Sequence, residues 1–400
     1  MEKLAIFGGT PVRETPIHYG RQYIDEADCA AVREVLLGDY LTTGPKPGEL
    51  EARLCKITGA AHGVCISNGT AALHAACYAA GIGPGDEVIT TPITFAASAN
   101  SVLYCGGTPV FADIDPATWN LCPEAAEEKI TPRTKAIIAV DFGGQPADLE
   151  KLGDLCRKHN LILIEDAAHS LGSSLNGKMV GSIADLTTLS FHPVKTVTGG
   201  EGGAVLTNRP DFYERLALFR THGITRNPEQ MTREPEGPWY YEQIELGYNY
   251  RLTDFQAALI LSQLDKLELF ATRRKEIVQR YNEAFAGMPQ LTVQQEIPGA
   301  DSVRHFYVLR LNLQTLSGTR REIFDALTGE GVLCNVHYIP VYTLPYYQNL
   351  GYLKGLCPQA EAFYEGAITI PLYYSMTDAD VESVIEAVKK VLLFFTKKEK

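Results

Sequence analysis

No stretch of this 400-residue chain approaches the length of a membrane span. Its first twenty residues lack a long apolar core and carry Lys3, Arg13 and Glu14, so no secretory signal is expected. Positive charge is in deficit. Lys and Arg number 36 against 48 Asp and Glu, a net charge of −12, and the cations are scattered. That balance argues against nucleic acid or an anionic membrane as the main partner. It leaves room for one anionic small molecule, which needs only a local site. A tight CxxC pair is also missing. The nine Cys are odd in number, and Cys65, Cys77, Cys105 and Cys156 lie in apolar segments. This is the usage of a reduced, cytoplasmic protein with buried thiols rather than a disulfide framework. Internal repeats and low-complexity tracts are absent, and no metal site is expected.

What remains is ample apolar material, 45% of residues, for roughly two or three domains. The first two thirds alternate short Val-, Ile- and Thr-rich runs with helical patterns. Strands are expected at Val64–Ser67, Glu87–Thr91, Pro109–Ile114, Lys135–Val140, Leu161–Glu165, Leu186–Phe191 and Gly203–Leu206. Helices are expected between them at Ala71–Ala80, Ala96–Tyr104 and Leu149–His159. Such alternation predicts an α/β fold with a mostly parallel sheet covered on both faces. Ligands on such sheets bind at the carboxyl ends of the strands. The pattern changes after Asp254. One long helix or two abutting ones span Phe255 to Phe285. Strands at Arg304–Leu313 and Val332–Ile339 and helices at Thr319–Leu327 and Thr377–Phe395 follow. The expected division is a large domain over 1–264, N-terminal arm included, and a smaller α+β domain over 265–400. Between them, Ile224–Gly247 reads as a long loop whose aromatics pack on something.

Three sites carry chemistry. At Ser67-Asn68-Gly69-Thr70-Ala71 a strand ends and a helix begins, which suits a phosphate and equally suits a plain capped helix. At Leu161–Asp166 four aliphatics deliver Glu165 and Asp166 to the end of a buried strand. An acid there needs a partner, and a protonated pyridine nitrogen is one; a turn-capping role is the plainer alternative. At Ser190-Phe-His-Pro-Val-Lys195 a strand runs into a loop, with the Gly-dense Thr198–Gly203 behind it. A lysine in a dry site is an imine-forming amine, whereas a lysine in an open loop is a solvated charge. Taken together, a phosphate cup, a strand-end Asp and a Lys some thirty residues later form the order of parts that pyridoxal 5'-phosphate (PLP) chemistry needs.

Over nearly its whole length the sequence resembles the sugar aminotransferases of the DegT/DnrJ/StrS family. The residues that carry the resemblance are Ser67-Asn-Gly-Thr70, Glu165-Asp-Ala-Ala-His169, Ser190-Phe-His-Pro-Val-Lys195, Gly200-Glu-Gly-Gly203, Gly247-Tyr-Asn-Tyr-Arg251 and Val336-His-Tyr-Ile-Pro340. Gly38–Pro45, Phe191–Lys195 and Trp239–Glu242 look most like its pseudaminic-acid branch, which aminates C4 of a UDP-linked 4-keto-6-deoxy sugar with L-glutamate as donor. The resemblance implies an aspartate-aminotransferase-like fold (PLP fold type I) and a homodimer with shared active sites. Lys195 then resembles the Schiff-base lysine and Asp166 the partner of the ring nitrogen. His169 stands where the family has a residue near the ring hydroxyl, and Phe95 resembles the aromatic stacked on the ring. Gly69, Thr70, Ala71 and Ser190 resemble the phosphate site, with Asn249 reaching it from the neighbouring subunit. Arg251 is placed between a donor-carboxylate role and a surface ion pair. His337 and Tyr338 resemble a segment near the sugar, or simply pack the small domain on the large one. Tyr19 is a further substrate candidate. His192 and Glu201 are read as packing and loop-ordering residues. A branch of the family that dehydrates sugars carries His in place of the lysine, and a catalytically silent regulator on this fold would be expected to lose Lys195 or Asp166. Both residues are present.

Overall fold

A computed structural model describes residues 3–397. Its main sheet has seven strands: β1 (His62–Ile66), β2 (Glu87–Thr90), β3 (Thr108–Phe111), β4 (Thr134–Val140), β5 (Ile162–Asp166), β6 (Leu186–Ser190) and β7 (Gly203–Thr207). The order across the sheet is β1-β7-β6-β5-β4-β2-β3. Pairs β6–β5, β5–β4, β4–β2 and β2–β3 are parallel, and β7 runs antiparallel to both of its neighbours. Six strands therefore point one way, and their carboxyl ends share one edge of the sheet. The unbroken apolar runs follow from burial on both faces. Ile137, Ile138, Ile164, Leu186 and Val205 are fully buried.

Helices cover the sheet as the sequence pattern predicts. Leu149–His159 starts on Asp148, whose side chain accepts from the Lys151 N–H at 3.1 Å. It ends with Arg157, Lys158 and His159 against the negative end of the helix dipole and stops at Asn160 in the left-handed region, φ 54°. The expected span from Phe255 is two helices, Asp254–Leu264 and Leu267–Phe285. Ile224–Gly247 is an irregular excursion with one short pairing, Ile224–Thr225 against Glu242–Gln243. Among the described residues no helix is long and apolar enough to cross a membrane.

The C-terminal part differs from expectation in its strands: Leu291–Val293 and Ala367–Ile370 are added, and one expected strand is lost. Its sheet is antiparallel, built from Leu291–Val293, Tyr307–Leu311 and Ala367–Ile370. Val332–Ile339 does not form a strand. It touches the sheet through one bridge, Asn335 to Thr369, and meets the N-terminal arm through another, Ile17 to Val332. The sheet's third place is filled by Ala367–Ile370, so 332–339 runs as irregular chain toward the large sheet.

The N-terminal arm packs here too. Leu4 and Ile17 are buried in the core formed with Ile323, Leu327, Val384 and Val388. Glu330 clasps it. Its fully buried carboxylate accepts from the Ala5 N–H (2.9 Å), the Val12 N–H (3.0 Å) and the Lys390 ammonium (2.9 Å). Removing the acceptor of a donor held inside a fold leaves that donor unsatisfied. Glu330→Ala takes the acceptor from the Ala5 and Val12 N–H groups and is expected to lower the unfolding free energy by about 2 kcal/mol or more, about 1–3 for each donor. The denaturant midpoint measures this, and hydrogen exchange at Ala5 and Val12 should accelerate. A variant within about 1 kcal/mol of the parent would show that the clasp carries little weight.

Candidate active site

The helix Gly69–Ala79 begins where β1 ends, beside the end of β6 and the start of β7. The Asn68 side chain caps it by accepting from the Ala71 N–H at 2.8 Å. Ala71 thus has its donor engaged within the chain. The Gly69 and Thr70 N–H groups have no acceptor among the described residues. Glycine is required at two places. A Cβ on Gly69 would lie 2.8 Å from Ser190 Cβ and 2.9 Å from its Oγ, and one on Gly203 would lie 2.6 Å from the Asn68 carbonyl oxygen. The backbone is thereby drawn tight around a spot that offers two free N–H groups, a hydroxyl and the positive end of a helix. The arrangement is a cup whose chemistry suits a phosphate.

Asp166 closes β5, almost fully buried. Its Oδ2 accepts from the Ser98 hydroxyl at 2.7 Å, and its Oδ1 from the Ala168 N–H at 3.2 Å. Burial pushes its pKa up, while Ser98, Ala168 and Lys195 pull the other way. Ser98 is in turn held by Thr94 at 2.7 Å. Lys195 sits in the turn after β6, its N–H donating to the His192 carbonyl at 3.0 Å. It keeps some exposure, yet enough atoms crowd it that desolvation lowers its pKa to about 8, against the opposing pull of Asp166. A primary amine in that range is neutral, and so nucleophilic, far more often than an ordinary lysine.

Rings close the other side. His169 is buried and stacks on His305, centroids 4.9 Å apart and planes 22° apart. Its Nε2 lies 3.3 Å from the Tyr338 hydroxyl, and its Nδ1 is buried without a partner. Burial first, then Lys195 and His337, hold His169 well below the usual histidine range, so it is neutral. His337 stacks on Phe306 at 4.5 Å, bonds Thr369 at 2.9 Å and is pushed down to about 4. Tyr19 approaches His337 with ring centroids 5.6 Å apart. Phe95 is exposed, 6.4 Å from the Tyr338 ring.

One group therefore gathers Gly69, Thr70, Ala71 and Ser190 at the cup, and another gathers Asp166, Lys195, His169, His337, Tyr338, Tyr19 and Phe95. Asn249 and Arg251 stand apart. Asn249 is exposed and pairs only through its backbone, with Thr221. Next to it, the Tyr250 carbonyl accepts from the Ser67 N–H at 2.8 Å. Arg251 lines a pocket of about 290 Å³ with Thr43, Gly44, Glu51 and Arg220, away from Lys195 and Asp166. His192 and Glu201 are exposed, and the Glu201 carbonyl accepts from Gln256 at 3.2 Å. Sequence reasoning missed Ser98 and His305. A serine three residues beyond Phe95, in the first turn of a helix, gives no hint of a distant carboxylate. His305 hides inside a strand-like run.

The DegT/DnrJ/EryC1/StrS aminotransferase family matches residues 22–389. The chain belongs to this family. SpsC of Bacillus subtilis, a spore coat polysaccharide biosynthesis protein, is 39% identical over 376 residues, 94% of this chain and 96% of that one. PseC of Helicobacter pylori, an aminotransferase involved in the biosynthesis of pseudoaminic acid, superposes with a TM-score of 0.89 at 33% identity. That match covers 95% of this chain and 100% of PseC. Spr1654 of Streptococcus pneumoniae, in its PLP-form, gives 0.88 at 34% identity over 95% and 99%. The fold is that of the PLP fold type I enzymes, and the chain is a PLP-dependent aminotransferase.

The residues present fit the cofactor. The cup offers unpaired donors for its phosphate, Asp166 lacks a full positive partner, the Nδ1 of His169 is orphaned, and Lys195 is a depressed amine. The cup's tightness is testable without cofactor. Gly69→Ala forces Cβ into Ser190 and is expected to cost about 1–3 kcal/mol by overpacking. Adding Ser190→Gly removes the clashing atoms, so the double variant should recover most of that loss in a thermal melt. Losses that simply add would mean that the two residues do not press on one another.

Proposed function

We propose that the chain transfers an amino group from L-glutamate to a nucleotide-linked keto-deoxy sugar, at C4 of a UDP-4-keto-6-deoxy-N-acetylhexosamine. The observation that carries the amino-transfer part is the buried Asp166 facing the depressed amine of Lys195 beside the phosphate cup. The sugar part is supported by the relatives: PseC is involved in pseudoaminic acid biosynthesis and SpsC in spore coat polysaccharide biosynthesis. The reaction would run in the cytoplasm.

Bound PLP supplies an electron sink for the negative charge left at the amino-bearing carbon. In this reading the Gly69 and Thr70 N–H groups and the Ser190 hydroxyl hold its phosphate. Asp166 would keep the ring nitrogen protonated, because a nearby carboxylate favours the cationic form. Ser98 and Ala168 aim the carboxylate. His169, neutral and fixed between His305 and Tyr338, would meet the ring hydroxyl, and Phe95 would supply an aromatic surface for the ring. Lys195 would hold the cofactor between turnovers. When free, its Nζ would carry off the proton from the donor's Cα and, in the second half of the reaction, deliver a proton to the sugar carbon that receives the amine. Residues 1–264 carry these groups. The unit 265–400 contributes His337 and Tyr338 on the sugar side, with Tyr19 beside them.

Asn249 and Arg251 complete the reading through a second copy of the chain. Asn249 is exposed, Arg251 lines a pocket whose walls do not include Lys195, and neither side chain has a hydrogen bond or ion pair among the described residues. In a homodimer Asn249 would reach the neighbouring subunit's phosphate cup and Arg251 the glutamate carboxylate.

Three measurements bear on this. Borohydride should leave the cofactor attached to the peptide containing Lys195, and attachment elsewhere would overturn its role. The rate of cofactor capture by the free protein should rise with pH up to about 8 and level off above it, as the Lys195 amine loses its proton. A panel of nucleotide keto sugars with PLP and glutamate, its products read by mass and NMR, decides the acceptor and the carbon aminated. The shared site has its own test. Lys195→Ala and Asn249→Asp proteins, each weak alone, should regain activity when mixed and allowed to exchange subunits. If exchange is confirmed and no activity returns, the shared-site reading fails.

A further inference from the structure

Behind Asp166 lie two more acids that the reaction as described does not use. Asp141 follows β4, Glu165 precedes Asp166 in β5, and both are fully buried. Glu165 Oε2 accepts from the Thr187 hydroxyl at 2.7 Å and the Gly181 N–H at 3.3 Å, while its Oε1 is orphaned of any N–H or O–H donor of the chain's other groups. Asp141 Oδ1 accepts from the Ala147 N–H at 2.8 Å, and its Oδ2 from the Ser170 hydroxyl. Glu165 pairs with Ala139 in the parallel register, so Asp141, two residues further on, lies on the same face of the sheet and the two acids are neighbours there. Neither has a Lys or Arg partner among the described residues. Two bare carboxylates cannot sit side by side in a dry interior. Burial, then Glu165, push Asp141 well above the usual carboxylate range, and burial pushes Glu165 up as well. The other titratable groups facing this cluster are Asp166 on the same strand, His169 in the turn after it, and Lys195, which faces Asp166 from the loop after β6.

The placement of Asp141 is as telling as its charge. Its N–H donates to the Asp166 carbonyl at 3.1 Å, and its carboxyl holds Ser170. It therefore grips both ends of the Asp166–Ser170 stretch, from which Asp166 and His169 project. We infer that Asp141 and Glu165 share a single proton and that this acid pair is the positioning device for Asp166 and His169. The shared proton rests on the burial of both acids and on the register that makes them neighbours. The positioning half rests on the roles proposed above for Asp166 and His169.

Infrared difference spectroscopy of the cofactor-free protein in heavy water tests the proton. A protonated carboxylic acid should be visible at pH 7. It should vanish in both Asp141→Asn and Glu165→Gln, where an amide hydrogen replaces the shared one, and persist in Asp166→Asn. No such band in the parent, or a band surviving either amide variant, overturns the pair. If one amide variant fails to fold, the parent and the other variant still decide. Cofactor titration tests the positioning. Asp141→Ala releases Ser170 and should weaken PLP binding about tenfold or more, the usual effect of removing a supporting partner, whereas Asp141→Asn should stay within a few-fold of the parent. The pH midpoint of the bound cofactor's absorbance should also move in Asp141→Ala. Unchanged affinity and midpoint in that variant overturn the positioning role. A positive infrared result with a failed cofactor titration would leave the pair standing and count against the reading of Asp166 and His169.

Discussion

Ionisable groups taken out of water need a partner or must stay neutral, and at the carboxyl edge of the sheet several of them are taken out at once. Asp166, Glu165, Asp141, His169, His305, His337 and Lys195 are crowded together, and the largest influence on each is desolvation. The acids are pushed up and the bases down, so the cluster carries less charge than its composition suggests. In the roles proposed above, a cationic ring nitrogen beside Asp166 and an aldehyde beside Lys195 would relieve two of these strained groups at once.

The fold makes that crowding feasible. Strands β1, β4, β5 and β6 run in one direction, so Ser67, Asp141, Asp166 and Ser190 emerge along a single edge although they are far apart in the chain. Tight glycine contacts at Gly69 and Gly203 let the cup close without side chains. The irregular run at 332–339 then brings His337 and Tyr338 across from the C-terminal part to seal the ring side. A regular strand there would keep these side chains in the small sheet; leaving the sheet is what frees them to reach the large one.

Much of this was legible in the chain. The seven main strands fall within a few residues of the Val- and Ile-rich runs, because burial on both faces demands unbroken apolar sequence. Asp166 and Lys195 stood out because a charge at the end of such a run is physically anomalous. Less visible were residues whose meaning lies in a partner far along the chain. Ala367–Ile370 was overlooked as a strand: four residues before Pro371 are too few for a period to register. Val332–Ile339 looked like a strand because its composition suits one, but tertiary contacts with Ile17 and Thr369 pull it elsewhere. Ser98 and His305 have ordinary neighbours in sequence and unusual ones only in space.

Strand β7 has a consequence for the order in which the chain can assemble. It is the one reversed strand, and β1 joins the sheet through it alone. β1 is made early in synthesis, yet its one partner strand among the described residues is not complete until Thr207 has left the ribosome. Until then His62–Ile66 is an apolar segment with an unpaired edge, and closing so long a loop is entropically slow. The helix Gly69–Ala79, rich in Ala and buried along nearly its whole length, is left waiting with it. The cluster of Gly69, Thr70 and Ser190 is therefore among the last parts of the large sheet to form, and a nascent chain lacks it until its topology is closed.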